Sequence, residues 1–201
     1  MQQSILTLWG QFRWPWKREA CMLVGANAVT PESFEYLMHN PGKGRVLGHV
    51  IGGVSEALMA RPGKYDLKLK GRKGFVRQAL IHGADLVPCY HFGEIQVFEH
   101  WTGINEQYVK NMQARFRNIL GFFPPLLKGK SIFGFPTGGL MPFRRPITSV
   151  IGAPIRVERT ETPTEEQIDD IHRQYCAVLF KLFEENKHLH NIPEDVHLNL
   201  Y

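Results

Sequence analysis

RKGFVRQALIHGADLVPCYHFGE, residues 72–94, reads as a helix followed by a strand. Phe75, Ala79 and Leu80 recur at helical spacing, so a helix is expected from Phe75 to His82, with Gly83 supplying the left-handed residue that closes it. Leu86 to Phe92 then reads as a strand carrying Pro88 and ending at Gly93-Glu94. Just upstream, Asp66-Leu67-Lys68-Leu69-Lys70 alternates polar and apolar residues, as a strand with one wet face does. Strand, helix and strand in that order predict an α/β domain, a three-layer sandwich around a central, mostly parallel or mixed sheet.

The flanks fit the same architecture. Thr30-Pro31-Glu32 places a capping hydroxyl, a first-turn proline and an acid ahead of Phe34 and Leu37, which predicts a short helix ended by Gly42 and Gly44. Val46 to Ile51, apolar apart from His49, reads as a buried strand closed by Gly52-Gly53. Val109, Met112, Phe116, Ile119 and Leu120 predict an amphipathic helix over Gln107 to Leu120. Ile147 to Val157, broken by Gly152-Ala153-Pro154, reads as one bent strand or two short ones. Thr162 with Glu165 makes a capping box, and Ile168, Ile171, Tyr175, Val178, Leu179, Leu182 and Phe183 continue a long helix behind it.

The 201 residues fit one domain, 1–201, and 43% hydrophobic with 21% charged residues sets the chain apart from disordered sequences. A net charge of +5, spread along the chain, favours an acidic partner without naming one. Cys21, Cys89 and Cys176 lack the spacing of a disulfide framework or zinc knuckle and read as reduced and buried. No apolar run is long enough for a spanning helix, and the start lacks a secretory leader, so neither spanning nor secretion is expected. Residues 1–18 interleave Trp9, Trp14 and Trp16 with Arg13, Lys17 and Arg18, which suits a membrane-interfacial segment; equally, the rings could pack on the core. Leu120 to Phe143 is rich in Phe but too broken by Pro and Gly for one helix. Gly71-Arg72-Lys73-Gly74 looks like the basic loop of KH domains, but an alternating strand precedes it where that loop joins two helices, so no nucleic acid is expected. Gly42, Gly44 and Gly48 are misspaced for a dinucleotide fold.

Three segments in order carry a more specific signal: Gly52-Gly53-Val54-Ser55-Glu56, then Arg72-Lys73-Gly74-Phe75 through His82-Gly83-Ala84-Asp85-Leu86-Val87-Pro88 to Phe92-Gly93-Glu94, then Gly139 to Ile147 with Val150 to Ile155. From about Phe12 onward the chain resembles the type-2 diacylglycerol and monoacylglycerol acyltransferase family. The resemblance implies a glycerolipid-acyltransferase-like fold and transfer of a fatty acyl group from acyl-CoA, a co-substrate rather than a resident cofactor, to mono- or diacylglycerol. It further implies a membrane surface at the cytosolic face of the endoplasmic reticulum or a lipid droplet. A homo-oligomer or pairing with a full-length relative is open as well. Members carry hydrophobic helices and a His-Pro-His-Gly block upstream of these segments, and this sequence has neither, so it reads as an incomplete domain truncated at the N-terminus. An alcohol needs a base to attack a thioester, and losing it costs about a hundred- to ten-thousand-fold. Two expectations therefore stand: an acyltransferase, or a non-catalytic lipid-associated or acyl-CoA-binding relative.

The candidate site residues follow. Glu56 on a glycine turn past a strand, and Glu94 by the same logic, could orient an acceptor hydroxyl or face water as ordinary surface charges. His82, with Asp85 three residues on, is a candidate base or a helix-end histidine satisfied by the dipole. Arg72, Lys73 and Gly74 open a helix where N–H groups and cations suit an anion, the phosphates of coenzyme A if the resemblance holds, or are two solvated cations. His49 reads as a hydrogen-bonded core histidine. His188 and His190 with Glu184 and Glu185 have the residue types of a metal site, but a solvated helix end fits them better, and no metal is expected.

Overall fold

The computed structural model describes residues 2–39, 44–53, 56, 63–100, 127–131 and 141–201. In chain order these form β1 (Gln2–Thr7), α1 (Pro15–Leu23), β2 (Ala26–Ala28), α2 (Pro31–His39), β3 (Arg45–His49), β4 (Asp66–Leu67), α3 (Gly74–His82), β5 (Cys89–Phe92), β6 (Glu99–His100), β7 (Leu127–Lys128), β8 (Thr148–Ile151), α4 (Glu165–Asn186) and β9 (Asn199–Leu200). Single 3₁₀ turns lie at Trp9–Arg13, Glu94–Gln96 and Lys187–His190. The fold is mixed α/β. The expected helix over Gln107 to Leu120 lies outside the described residues.

The chain divides into two compact units. The first takes Met1–Gly53, Leu69–Leu86 and Ile155–Gln174. Its sheet is parallel, in the order β2-β1-β3, with Ile5 opposite Ala26 and Leu6 opposite His49. Leu6, wholly buried on the central strand, packs with Phe34 and Leu37 of α2 and with Val29 and Leu47. α2 starts where the sequence indicates, the Thr30 hydroxyl accepting from the Ser33 N–H at 3.3 Å. β3, expected to be buried, lies at the edge of this sheet among the described residues, and its alternate residues face solvent, Val46 at 47% exposure. An apolar composition does not specify which neighbours cover a strand.

α3 buries Phe75, Val76, Ala79 and Leu80 and packs against α2. Gly83, at φ +64°, follows its last turn. The Ala84 N–H reaches the Ala79 carbonyl (2.9 Å) and the Gly83 N–H reaches Leu80 (3.4 Å), the paired bonds of a Schellman stop. The chain then exchanges backbone bonds between Leu86 and Ile155, and Asp85 accepts from the Val157 N–H (3.2 Å) and Arg156 Nη1 (2.6 Å). α4 opens on a capping box, shifted from the expected Thr162/Glu165 to Thr164/Gln167: the Gln167 N–H donates to Thr164 Oγ1 (3.2 Å), and the Thr164 N–H to Gln167 Oε1 (2.9 Å). This start puts Glu165 and Glu166 in the first turn, at the positive end of the helix dipole.

The second unit takes Val54–Lys68, Val87–Pro154 and Tyr175–Tyr201. β5 runs antiparallel to β8, pairing Cys89 with Ile151, Tyr90 with Val150, His91 with Ser149 and Phe92 with Thr148. β4 pairs in parallel with β9, and β6 antiparallel with β7. The expected strand Asp66 to Lys70 thus shortens to two residues, and Ile147 to Val157 resolves into β8 plus the single bridge at Ile155. The core is aromatic: Phe183, with no exposed surface, holds its ring centroid 5.2 Å from Tyr65, 5.2 Å from Tyr90 and 5.6 Å from Phe92. A buried ammonium closes the C-terminal end, Lys187 Nζ donating to the Glu194 and Val196 carbonyls and pairing with Glu184 at 2.8 Å. All three cysteines are free thiols, and none is fully buried; Cys89 is exposed because strand alternation turns it to the outer face of β5.

Candidate functional site

Arg72, Lys73 and Gly74 sit where a turn from Leu69 feeds α3, the Arg72 N–H bonding the Leu69 carbonyl at 2.9 Å. Lys73, at the cap position, makes no side-chain capping hydrogen bond, and open space lies in front of Gly74. The backbone geometry therefore suits an anion. The cations are engaged, however. Lys73 lies 2.5 Å from Asp169, and this hydrogen bond holds the Asp169 carboxyl below the usual carboxylate range. Arg77, one turn on, pairs with Glu165. An incoming phosphate would have to exchange with Asp169 for the ammonium. His172, buried beside this turn, donates Nε2–H to the Leu69 carbonyl (3.0 Å) and packs near the Phe75 ring.

Glu56 and Glu94 both lie close enough to Tyr90 to act on its phenol electrostatically. Burial, then Tyr65, Glu56 and Glu94 in turn, push ionisation of Tyr90 well above the ordinary tyrosine range. Tyr90 therefore stays neutral at every physiological pH, with an O–H able to donate to a carbonyl. Glu94 begins a 3₁₀ turn directly after Gly93, whose φ of +88° lets the chain leave β5 sharply. Two of the carboxylates expected from sequence thus act electrostatically on a phenol that the sequence did not single out. Tyr90 was legible only as a strand residue; its neighbours come from chain segments before and after it.

His82 belongs to the first unit, on the last turn of α3. Burial lowers its basicity below the ordinary histidine range, Glu35 opposes this, and Arg159 and His39 add to it. The imidazole is consequently neutral near pH 7 and able to accept a proton. Asp85, read beside it in sequence, is turned to Arg156 and Val157 instead. His49 is lowered by burial in the same way and meets Phe34 edge-on at 5.9 Å. At the C-terminal end, His190 stacks flat on Phe92 at 4.1 Å while Glu184 serves Lys187 and His197. Among the described residues no group of three His, Cys, Asp or Glu could hold a metal.

One cluster escaped sequence reasoning. On the outward face of β5 and β8, His91 Nδ1 lies 2.8 Å from Ser149 Oγ, and its Nε2 lies 4.0 Å from the Cys89 sulfur. Partial burial raises the thiol's ionisation above the ordinary range. Period-two alternation places Cys89 and His91 on one face, but Ser149 arrives only through the β5–β8 register, 58 residues away in sequence.

A family model described as "Diacylglycerol acyltransferase" matches residues 1–201. The chain belongs to the diacylglycerol acyltransferase family. It is 40% identical over 190 residues to "Diacylglycerol O-acyltransferase 2" of Bos taurus, covering 94% of this chain and 53% of that protein. The Homo sapiens protein of the same name is 40% identical, over 94% of this chain and 49% of its own length. "2-acylglycerol O-acyltransferase 1" of Bos taurus is 41% identical over 95% of this chain and 56% of that protein. The chain spans about half the length of the curated relatives it matches. No solved structure matches it.

Proposed function

We propose that this chain forms the body of an acyl-CoA-dependent O-acyltransferase of neutral lipid synthesis, moving a fatty acyl group from the coenzyme A thioester to a hydroxyl of mono- or diacylglycerol. The observation that carries this reading is the 40% identity over 94% of the chain to a protein named for acylation of diacylglycerol, with a 41% match to one named for acylation of 2-acylglycerol. Glu56 and Glu94 orient the acceptor hydroxyl beside the neutral Tyr90 phenol of the second unit. His82, in the first unit and uncharged near pH 7, is a separate candidate base. Arg72, Lys73 and Gly74 receive the coenzyme's phosphates at the start of α3, with Asp169 displaced from Lys73. The parallel β2-β1-β3 sheet supports a three-layer α/β sandwich as the finer architecture. The site of action is a membrane surface, the cytosolic face of the endoplasmic reticulum or a lipid droplet, and no resident cofactor takes part.

The test supplies radiolabelled oleoyl-CoA with monoacylglycerol or diacylglycerol to membranes from cells expressing the chain. Labelled di- or triacylglycerol above an empty-vector control supports the reading. Saturable oleoyl-CoA binding with no product would replace it with a non-catalytic acyl-CoA-binding role.

A further inference from the structure

α1 has a face that nothing in the described structure covers. Trp16, Ala20 and Leu23 fall at i, i+4 and i+7, which places them in one stripe along the helix. Trp16 is 90% exposed and Leu23 is 88% exposed, and α1 buries none of its residues. The surroundings are of one kind. Trp9 and Trp14 stand exposed before the helix, and Met22 and Val24 stand exposed at its end. A wholly apolar stripe turned to water costs free energy unless something covers it, and a contiguous patch of this sort marks a contact surface.

Its chemistry indicates what that contact is. Among residues 9–24, Arg13, Lys17 and Arg18 stand against one acid, Glu19. The Arg13 guanidinium lies over the Trp9 ring, 5.6 Å from its centroid. Indole rings with cations spaced between them match the bilayer interface, where the ring lies at headgroup depth and the cation meets lipid phosphate.

We propose that residues 9–24 form an in-plane docking surface for a bilayer carrying anionic phospholipid, with Trp16 and Leu23 inserted and Arg13 and Lys17 at headgroup level. This inference rests on the membrane-surface location proposed above and names the surface that meets it, while needing no acyl transfer. It replaces core packing as the account of the tryptophans at 9, 14 and 16, all of which are exposed.

The chain is mixed with vesicles of phosphatidylcholine alone, or with a third of the lipid replaced by phosphatidylserine, and floated on a density gradient. The chain should float with the anionic vesicles. Trp16→Gln with Leu23→Gln should weaken binding roughly tenfold or more, since both side chains leave the hydrocarbon edge. Arg13→Gln with Lys17→Gln should remove the preference for phosphatidylserine while keeping the residual binding to neutral lipid. Both pairs are exposed, so an unchanged urea midpoint shows that the fold survives. Failure of the wild-type chain to float, or equal flotation of the Trp16/Leu23 pair, overturns the proposal. So does a wild-type dimer that neither floats nor survives the Trp16/Leu23 exchange, which would assign the stripe to a second copy. Flotation needs no acyl-CoA, so this result and the acyltransferase assay can fail separately.

Discussion

Replacing Gly93 by alanine tests whether the turn between β5 and Glu94 is as tightly held as it is drawn. Gly93 has φ +88°, and a Cβ built on it would fall far inside contact distance of the Pro146 carbonyl oxygen. Two costs add. A non-glycine residue in the left-handed region costs about 1–2 kcal/mol. Moving a backbone carbonyl that cannot swing away costs a further ~1–3 kcal/mol. The expected loss for Gly93→Ala is therefore about 2–5 kcal/mol, read from urea unfolding of the chain. Gly83→Ala is the graded comparison, because its φ of +64° carries the first cost while its nearest obstacle is the Arg159 Cβ at 2.9 Å. Gly74→Ala is the control, with no positive φ and nothing within 4 Å. Asparagine, which tolerates positive φ, should recover stability at Gly83 but not at Gly93, where Cβ itself collides. If Gly93→Ala unfolds at the same midpoint as Gly74→Ala, the packing of Pro146 against this turn is wrong.

Phe183→Ala removes the ring at the centre of the second unit's aromatic cluster and should cost about 3–5 kcal/mol, measured by the same unfolding. Lys187→Met leaves Glu184 and the Glu194 and Val196 carbonyls without their shared donor, an expected loss of about 2 kcal/mol or more, with earlier amide exchange in residues 194–201. Acid should weaken the fold through His49 and His82. Both have folded pKa values below the ordinary histidine range, so the unfolded chain binds more protons, and stability falls as pH drops through about 6.5. Unfolding midpoints at about pH 7.5 and 5.5 should differ accordingly, and His82→Gln should shrink the difference.

Local chemistry made α2, α3 and α4 legible, whereas α1 was not anticipated. Thr30-Pro31 announces α2, Gly83 ends α3 three residues past Leu80, its last buried side chain, and the spacing of Ile168, Tyr175, Leu179 and Phe183 defines the buried face of α4. These signals rest on bonds between residues three to five apart, which the sequence spells out directly. The α4 cap shows the limit, since Thr162 and Thr164 each head a capping pattern and only the structure selects between them. Strand pairing was not legible, because it joins residues with no local mark of each other. β1 was not anticipated at all, although it is the central strand that buries Leu6. The same limit divides the site. Glu56, Glu94 and His82 could be nominated one by one, but that Glu56 and Glu94 act on Tyr90 depends on how distant segments of the second unit come together.

β5 carries two chemistries on four residues, Tyr90 and Phe92 inward and Cys89 and His91 outward. Inserting or deleting a single residue within it would rotate every later side chain by half a turn about the strand, exposing an aromatic ring and burying the imidazole. Sequence drift at this strand is therefore confined to exchanges at fixed length: the solvent-facing pair is open to rewriting, while the spacing between Pro88 and Gly93 is not.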